Sequence, residues 1–154
     1  MYLTFGTFFN EGDAFRAALA GIRDLGVGLV VTVGPDGDPA AFDPQPPRVV
    51  VERYIPQTLL LPACDVLASH AGSGTVLGAL ALGIPQLCLP QAADQFLNAA
   101  AVARAGAGLA IPPEEVDARA SETRSTDSST TAASECRRNE WPTRSPRCRR
   151  PKQS

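Results

Sequence analysis

Between Val66 and Pro90 the chain passes from a short apolar run, Val66-Leu67-Ala68, through Ser69-His70-Ala71-Gly72-Ser73-Gly74-Thr75 into a helix-like run, and then into a second apolar segment. This order narrows the fold sharply. Two short apolar strands joined through one helix run side by side in a parallel sheet, because the helix returns the chain to the starting edge. The glycine-rich break also matters chemically. A strand that ends in such a turn and restarts as a helix leaves backbone N–H groups unpaired at the helix N-terminus, aimed at any anion there. That is the physics of a phosphate cradle.

The rest of the chain up to Asp117 repeats the pattern. Tyr2-Leu3-Thr4-Phe5 is a short strand ending at Gly6-Thr7. Asp13 can cap a helix whose apolar residues Phe15, Leu19 and Ile22 fall at i, i+4 and i+7, with Gly26 ending it. Val27 to Val33 suits a strand buried on both faces, and Gly34-Pro35-Asp36-Gly37 is a turn. Val49-Val50-Val51 reads as another buried strand, and Pro56 can open a short helix over Leu59 to Leu61. Strands at 66–69, 86–89 and 108–111 and helices at 75–82 and 94–105 complete the series. The fold class is therefore α/β: a parallel, doubly wound, Rossmann-like sheet with helices on both faces. Ligands of such sheets bind at the carboxyl ends of the strands. Gly6-Thr7, Tyr54 to Gln57, His70 to Thr75 and Pro90 to Gln95 all lie there, and should converge on one crevice.

Charge divides the sequence. Residues 1–117 carry five basic and twelve acidic side chains, and residues 118–154 carry nine basic and four acidic, within a whole-chain net charge of −2. From Ala118 the text is Ser, Thr, Arg and Pro without helical or strand period, which predicts a disordered tail. Basic runs without interleaved aromatics are usually solvated, so no nucleic-acid partner is expected. The abrupt onset, two stray cysteines and Arg/Pro/Ser/Thr bias are also what a GC-rich gene gives when read in a shifted frame. No apolar run reaches the roughly 18 to 20 residues of a membrane span, and no basic region opens a signal peptide. A cytoplasmic protein without membrane partners is expected. Cys64, Cys88, Cys136 and Cys148 lack CxxC spacing and a His cluster, so neither a metal site nor a disulfide framework is indicated; Cys64 and Cys88 read as small buried hydrophobes.

Several ordered blocks carry a more specific resemblance: Arg53-Tyr54-Ile55-Pro56-Gln57, Leu60-Leu61-Pro62, His70-Ala71-Gly72-Ser73-Gly74-Thr75, Gly83-Ile84-Pro85-Gln86 to Pro90, and Ala93-Asp94-Gln95-Phe96-Leu97-Asn98. Over about Met1 to Asp117 the chain resembles the C-terminal, donor-binding half of family 1 glycosyltransferases of the GT-B fold. The subset it resembles most is the bacterial one that glycosylates natural products such as macrolides, enediynes and polyketides.

The resemblance implies roles for matching residues. His70 would donate to the diphosphate of a nucleotide sugar, with Gly72, Ser73, Gly74 and Thr75 holding the phosphates and Thr7 nearby. Asp94 and Gln95 would face the sugar hydroxyls. Tyr54 stands where relatives often place a tryptophan that stacks on the base, with Ile55 presenting its backbone to the base edge and Gln57 adjacent. Many relatives have a ribose-gripping glutamate eight residues after the histidine; here that position is Gly78, which predicts a thymidine diphosphate sugar in preference to a uridine one. The chemistry implied is inverting transfer of a hexose to an acceptor hydroxyl, without metal or other cofactor. No catalytic residue is expected in this chain, because in the family the base and the aglycone pocket belong to an N-terminal domain. The chain is thus expected to bind its donor and to be inactive in transfer alone.

Plainer roles remain open at this stage. His70 could make a structural hydrogen bond or do acid–base work, Asp94 could cap the helix after it, and Tyr54 could be core. Gly72 and Gly74 are expected to serve backbone geometry. A nucleotide-sugar-binding module without catalysis is the alternative function. A Rossmann-type oxidoreductase fits less well, since the first strand leads into Gly6-Thr7-Phe8-Phe9-Asn10, not GxGxxG, and no acidic residue closes the second.

Overall fold

A computed structural model describes residues 1–6, 12–42 and 44–116; Thr7 and the expected tail over 118–154 lie outside the described residues. The elements follow the order β1 (Tyr2–Thr4), α1 (Asp13–Arg23), β2 (Leu29–Thr32), β3 (Val49–Glu52), α2 (Gln57–Leu60), β4 (Leu67–Ser69), α3 (Ser73–Leu82), β5 (Gln86–Cys88), α4 (Gln95–Arg104) and β6 (Gly108–Ala110). A 3-10 turn at Pro39–Phe42 precedes β3, and another at Leu61–Ala63 follows α2.

All six strands lie parallel in one sheet, ordered β3-β2-β1-β4-β5-β6. β1 is the pivot, pairing Tyr2 with Val30 of β2 on one side and with Leu67 of β4 on the other. The strand order reverses between β1 and β4, and a crevice opens at such a switch point above the carboxyl ends. Alternation along β1 and β4 sends Leu3 and Ala68 to one face, where they pack with Phe15, Leu19 and Ile22 of α1. Tyr2 and Leu67 go to the other, under Leu61, Ala79 and Ile84. A third cluster joins Val76 of α3 to Ala99 and Val102 of α4 across Cys88. The expected doubly wound sheet is what the chain forms.

Local details depart from the sequence reading. Asp13 is the first residue of α1 and not its cap; Gly12 takes that position without a side-chain bond, and Asp13 instead places its charge in the first turn, where the helix dipole favours it. β3 is an edge strand, so Val49 is buried while Val50 is 47% exposed. Cys88 is fully buried, which pushes its thiol up to about 11, but Cys64 is only half-buried and donates its thiol to the Leu60 carbonyl. Under the crevice runs a line of buried hydroxyls. Thr32 spends its single proton on Thr4 Oγ1 at 3.0 Å, so Tyr2 must donate to Thr32 at 2.9 Å, and Thr4 Oγ1 also accepts the Gly6 N–H at 3.2 Å. Among the described residues no helix is long and apolar enough to cross a membrane.

Candidate functional site

The switch point between β1 and β4 is filled by one imidazole. His70, the residue after β4, is buried, and its ring lies between two stretches of bare backbone. A Cβ placed on Gly6 would come within 2.8 Å of His70 Cε1, and one on Gly72 within 2.7 Å of Nε2. Gly72 has an ordinary extended φ of −63°, so it is required for space and not for backbone conformation. The left-handed residue of this turn is Ala71, with φ of 66°.

Burial holds the His70 pKa below its usual value, opposed by a hydrogen bond to the Thr4 backbone and by the Asp94 carboxylate. The ring is therefore neutral at neutral pH. An imidazole that gives its one N–H to the main chain offers a ligand a second donor only when protonated.

α3 begins directly beyond this turn, with Gly72 as its N-cap and, among the described residues, no side-chain hydrogen bond capping its start. Gly74 is helical, and a Cβ there would meet nothing within 4 Å, so the expectation that it serves backbone geometry does not hold. What it provides is open space over the helix end. The Thr75 side chain is buried and paired with Gln57, whose Nε2 donates to Thr75 Oγ1 at 3.1 Å. What Thr75 presents at the helix end is backbone N–H. The same bond ties the start of α2 to the first turn of α3, bringing the Tyr54–Gln57 segment beside the β4–α3 turn. Tyr54 is 65% exposed, which removes the core reading, and Ile55 is half-buried next to it.

Across the crevice, Asp94 occupies the N-cap position of α4 but makes no capping bond. Its Oδ2 accepts instead from Ser73 Oγ at 2.8 Å and from Asn98 Nδ2 at 3.1 Å, and these two bonds hold the carboxyl below its ordinary pKa. Gln95 is buried, and its Oε1 accepts the backbone N–H groups of Gln91 at 2.8 Å and Ala92 at 3.1 Å. Its oxygen is committed to bracing the loop, which leaves only the amide nitrogen to offer a hydroxyl.

The structure thus brings His70, Gly72, Ser73, Gly74 and Asp94 together at one mouth, with Gln57 tied to its edge. Thr7 is not among the described residues. Sequence reasoning missed Asn98, although an Asn four residues after an Asp on a helix is a recognisable side-chain pair. It also missed Gly6 as one wall of the histidine slot, which only the fold reveals. At Gly78 a Cβ would come within 3.3 Å of the Leu61 side chain, so Leu61 packs close to where a longer residue at 78 would start.

Comparison with known proteins places the chain in a family. The family described as "Erythromycin biosynthesis protein CIII-like, C-terminal domain" matches residues 16–146. Tylactone mycaminosyltransferase of Streptomyces fradiae is 35% identical over 112 residues, which is 73% of this chain and 25% of that protein. The elloramycin glycosyltransferase ElmGT of Streptomyces olivaceus is 51% identical over 69 residues, or 44% of this chain and 18% of its own. Among solved structures, the spinosyn rhamnosyltransferase SpnG complexed with thymidine diphosphate superposes with a TM-score of 0.67 at 30% identity, covering 79% of this chain and 34% of SpnG. The chain therefore spans about a third or less of the length of these relatives. With its parallel Rossmann-like sheet, it belongs to the erythromycin biosynthesis protein CIII-like C-terminal domain family, the C-terminal half of GT-B, family 1 glycosyltransferases.

Proposed function

We propose that this chain is a cytoplasmic donor-binding domain that takes a nucleoside diphosphate hexose, thymidine over uridine, for inverting transfer to an acceptor hydroxyl. The observation that carries the reading is the 2.8 Å bond from Ser73 to Asp94, which sets a helix N-terminus suited to a diphosphate against a carboxylate suited to sugar hydroxyls. Such a juxtaposition fits a ligand with both groups, one bond apart. Tyr54 offers an open aromatic face for the base. Thymidine diphosphate is the ligand in the SpnG complex, and position 78 offers no side chain to a ribose 2′-hydroxyl.

In this reading the acceptor hydroxyl, deprotonated by a base on an N-terminal domain, attacks the anomeric carbon as its bond to the diphosphate oxygen breaks. The charge gathering on the leaving group is met by the N–H groups of α3, without a metal, and by His70 once its ring takes up a proton, since the neutral ring already gives its one N–H to the Thr4 backbone. Acceptor aglycone and base both lie on that other domain, so this chain binds donor and does not transfer it. The second reading is a nucleotide-sugar-binding module without catalysis.

Calorimetric titration of the 154-residue protein tests both. Saturable binding of thymidine diphosphate, weaker binding of uridine diphosphate and no turnover of a thymidine diphosphate hexose with a macrolide acceptor are expected. Absence of nucleotide binding would remove the donor-site reading, a uridine preference the choice of base, and turnover the dependence on a second domain.

A further inference from the structure

Three side chains link the phosphate turn to the sugar side of the crevice, and their protons can be counted. Ser73 has one hydroxyl proton, and it goes to Asp94 Oδ2 at 2.8 Å. Asn98 has two amide protons facing three acceptors: the Ala71 carbonyl at 3.0 Å, Ser73 Oγ at 3.1 Å and Asp94 Oδ2 at 3.1 Å. A serine arranged in this way is already fully used as a donor. It cannot hydrogen-bond to a phosphate oxygen until its proton leaves Asp94.

We propose that Asn98 is a positioning residue that holds Ser73 and Asp94 in one unit, within which the Ser73 proton is handed from Asp94 to the diphosphate as the donor binds. The inference rests on the donor-site reading above. Asn98 need not move during the exchange, because it donates to both partners and its third acceptor, the Ala71 carbonyl, belongs to the buried left-handed residue of the turn. When the serine hydroxyl rotates away, Asp94 Oδ2 loses one of its two donors. That lone pair then accepts a sugar hydroxyl.

The two subsites are coupled by this hand-over. A bare nucleoside diphosphate must break the Ser73–Asp94 bond and gives Asp94 nothing in return. A nucleotide sugar breaks the same bond and replaces it. The sugar therefore strengthens binding partly by refilling an acceptor that the phosphates have emptied, and Asn98 keeps that acceptor aimed.

Affinities of the full chain for thymidine diphosphate and for thymidine diphosphate glucose, measured by calorimetry on wild type and four variants, test this. Asp94→Ala should bind thymidine diphosphate about five-fold more tightly than wild type, because the serine proton is released in advance. In the Ser73→Ala background the same Asp94→Ala change should alter affinity by less than about two-fold. Asn98→Ala should lose about ten-fold in affinity for the nucleotide sugar but less than about three-fold for thymidine diphosphate, a split that general damage to the fold would not produce. An equal gain from Asp94→Ala in both backgrounds would mean plain charge repulsion and would overturn the hand-over, as would no gain in either. Equal loss of both ligands in Asn98→Ala would overturn its positioning role. If wild type binds neither ligand, the donor-site reading falls and the proposal falls with it.

Discussion

Two strand-to-helix turns face each other across the crevice, and they are built in different ways. The turn from β4 to α3 sets a left-handed alanine, Ala71, before its helix, and the turn from β5 to α4 sets another, Ala93. There the likeness ends. The first turn combines packing with two side-chain bonds: Ala71 is fully buried, the His70 ring fills the gap between the Gly6 and Gly72 backbones, Ser69 Oγ accepts the Ala71 N–H at 3.1 Å, and Asn98 Nδ2 donates to the Ala71 carbonyl at 3.0 Å. The second is held by side-chain amides: Gln95 accepts two loop N–H groups, and Gln91 Nε2 donates to the Leu89 and Pro90 carbonyls at 3.0 and 3.1 Å. In the proposed function a diphosphate is gripped by backbone N–H groups at close approach, so the turn that would meet it needs bare backbone beside it. In that reading a sugar is read by side chains, so the turn that would meet it can also be braced by them.

The largest effect should come from breaking the packed turn. In Gly72→Ala the new methyl would overlap His70 Nε2, whose ring is walled on the other side by Gly6. Overpacking of this kind costs about 1–3 kcal/mol. The ring must leave its slot, so thymidine diphosphate binding should disappear while the variant still folds, as circular dichroism and titration would show. Binding retained at wild-type affinity would mean that His70 is not held by this contact.

Breaking the braced turn should do less. Gln95→Ala removes the acceptor for the Gln91 and Ala92 N–H groups, which are only partly buried and can turn to water. A loss of about 1 kcal/mol in chemical denaturation is expected. The loss of affinity should fall on the sugar and not on the nucleotide alone. An equal loss for both ligands would show that the two turns are one mechanical unit.

How much of this was legible in the sequence follows the same division. The parallel sheet was readable because each strand is a short apolar run, such as Val49-Val50-Val51, set off by turn residues. The edge position of β3 was not, because periodicity cannot tell which strand has a neighbour on only one side. The phosphate turn was visible as Gly72-Ser73-Gly74, but the division of labour inside it was hidden. Gly74 looked like a backbone requirement and is open space; Gly72 looked the same and is a wall; the strained residue is an alanine. For Asp94 a helix cap was one open reading; it sits at the cap position, but its side chain is tied to Ser73, twenty-one positions earlier in the chain. Roles set by contacts between distant segments have no local pattern to betray them.

A smaller effect separates the turns by pH. His70 is the chain's only histidine, and burial lowers its pKa from the ordinary 6.5. The unfolded chain then takes up a proton that the folded one resists, so this contribution to stability is complete above about pH 6.5 and is lost progressively as pH falls below it. Urea melts between about pH 7 and pH 5 should show that decline in the wild type and a flatter profile in His70→Gln. A stability that rises on acidification in this window would mean that the folded ring is the better proton binder, and that the packed turn is already arranged for a cation.

The smallest effect tests the alanines themselves. A left-handed alanine costs roughly 1–2 kcal/mol, and replacing it by glycine returns most of this, less about 0.4–1 kcal/mol for the freer unfolded chain. At exposed Ala93 nothing else changes, so Ala93→Gly should gain about 0.5 kcal/mol, a rise in Tm of about 2–4 °C. Ala71 differs because its methyl packs among Val76, Cys88, Ala99 and Val102. Losing one buried methyl costs about 0.8 kcal/mol, enough to cancel the relief. Ala71→Gly should therefore melt no higher than wild type, and thermal denaturation of the two variants side by side decides the point. If both rise together, the first turn is not held by its packing, and the contrast between the two sides of the crevice rests on His70 alone.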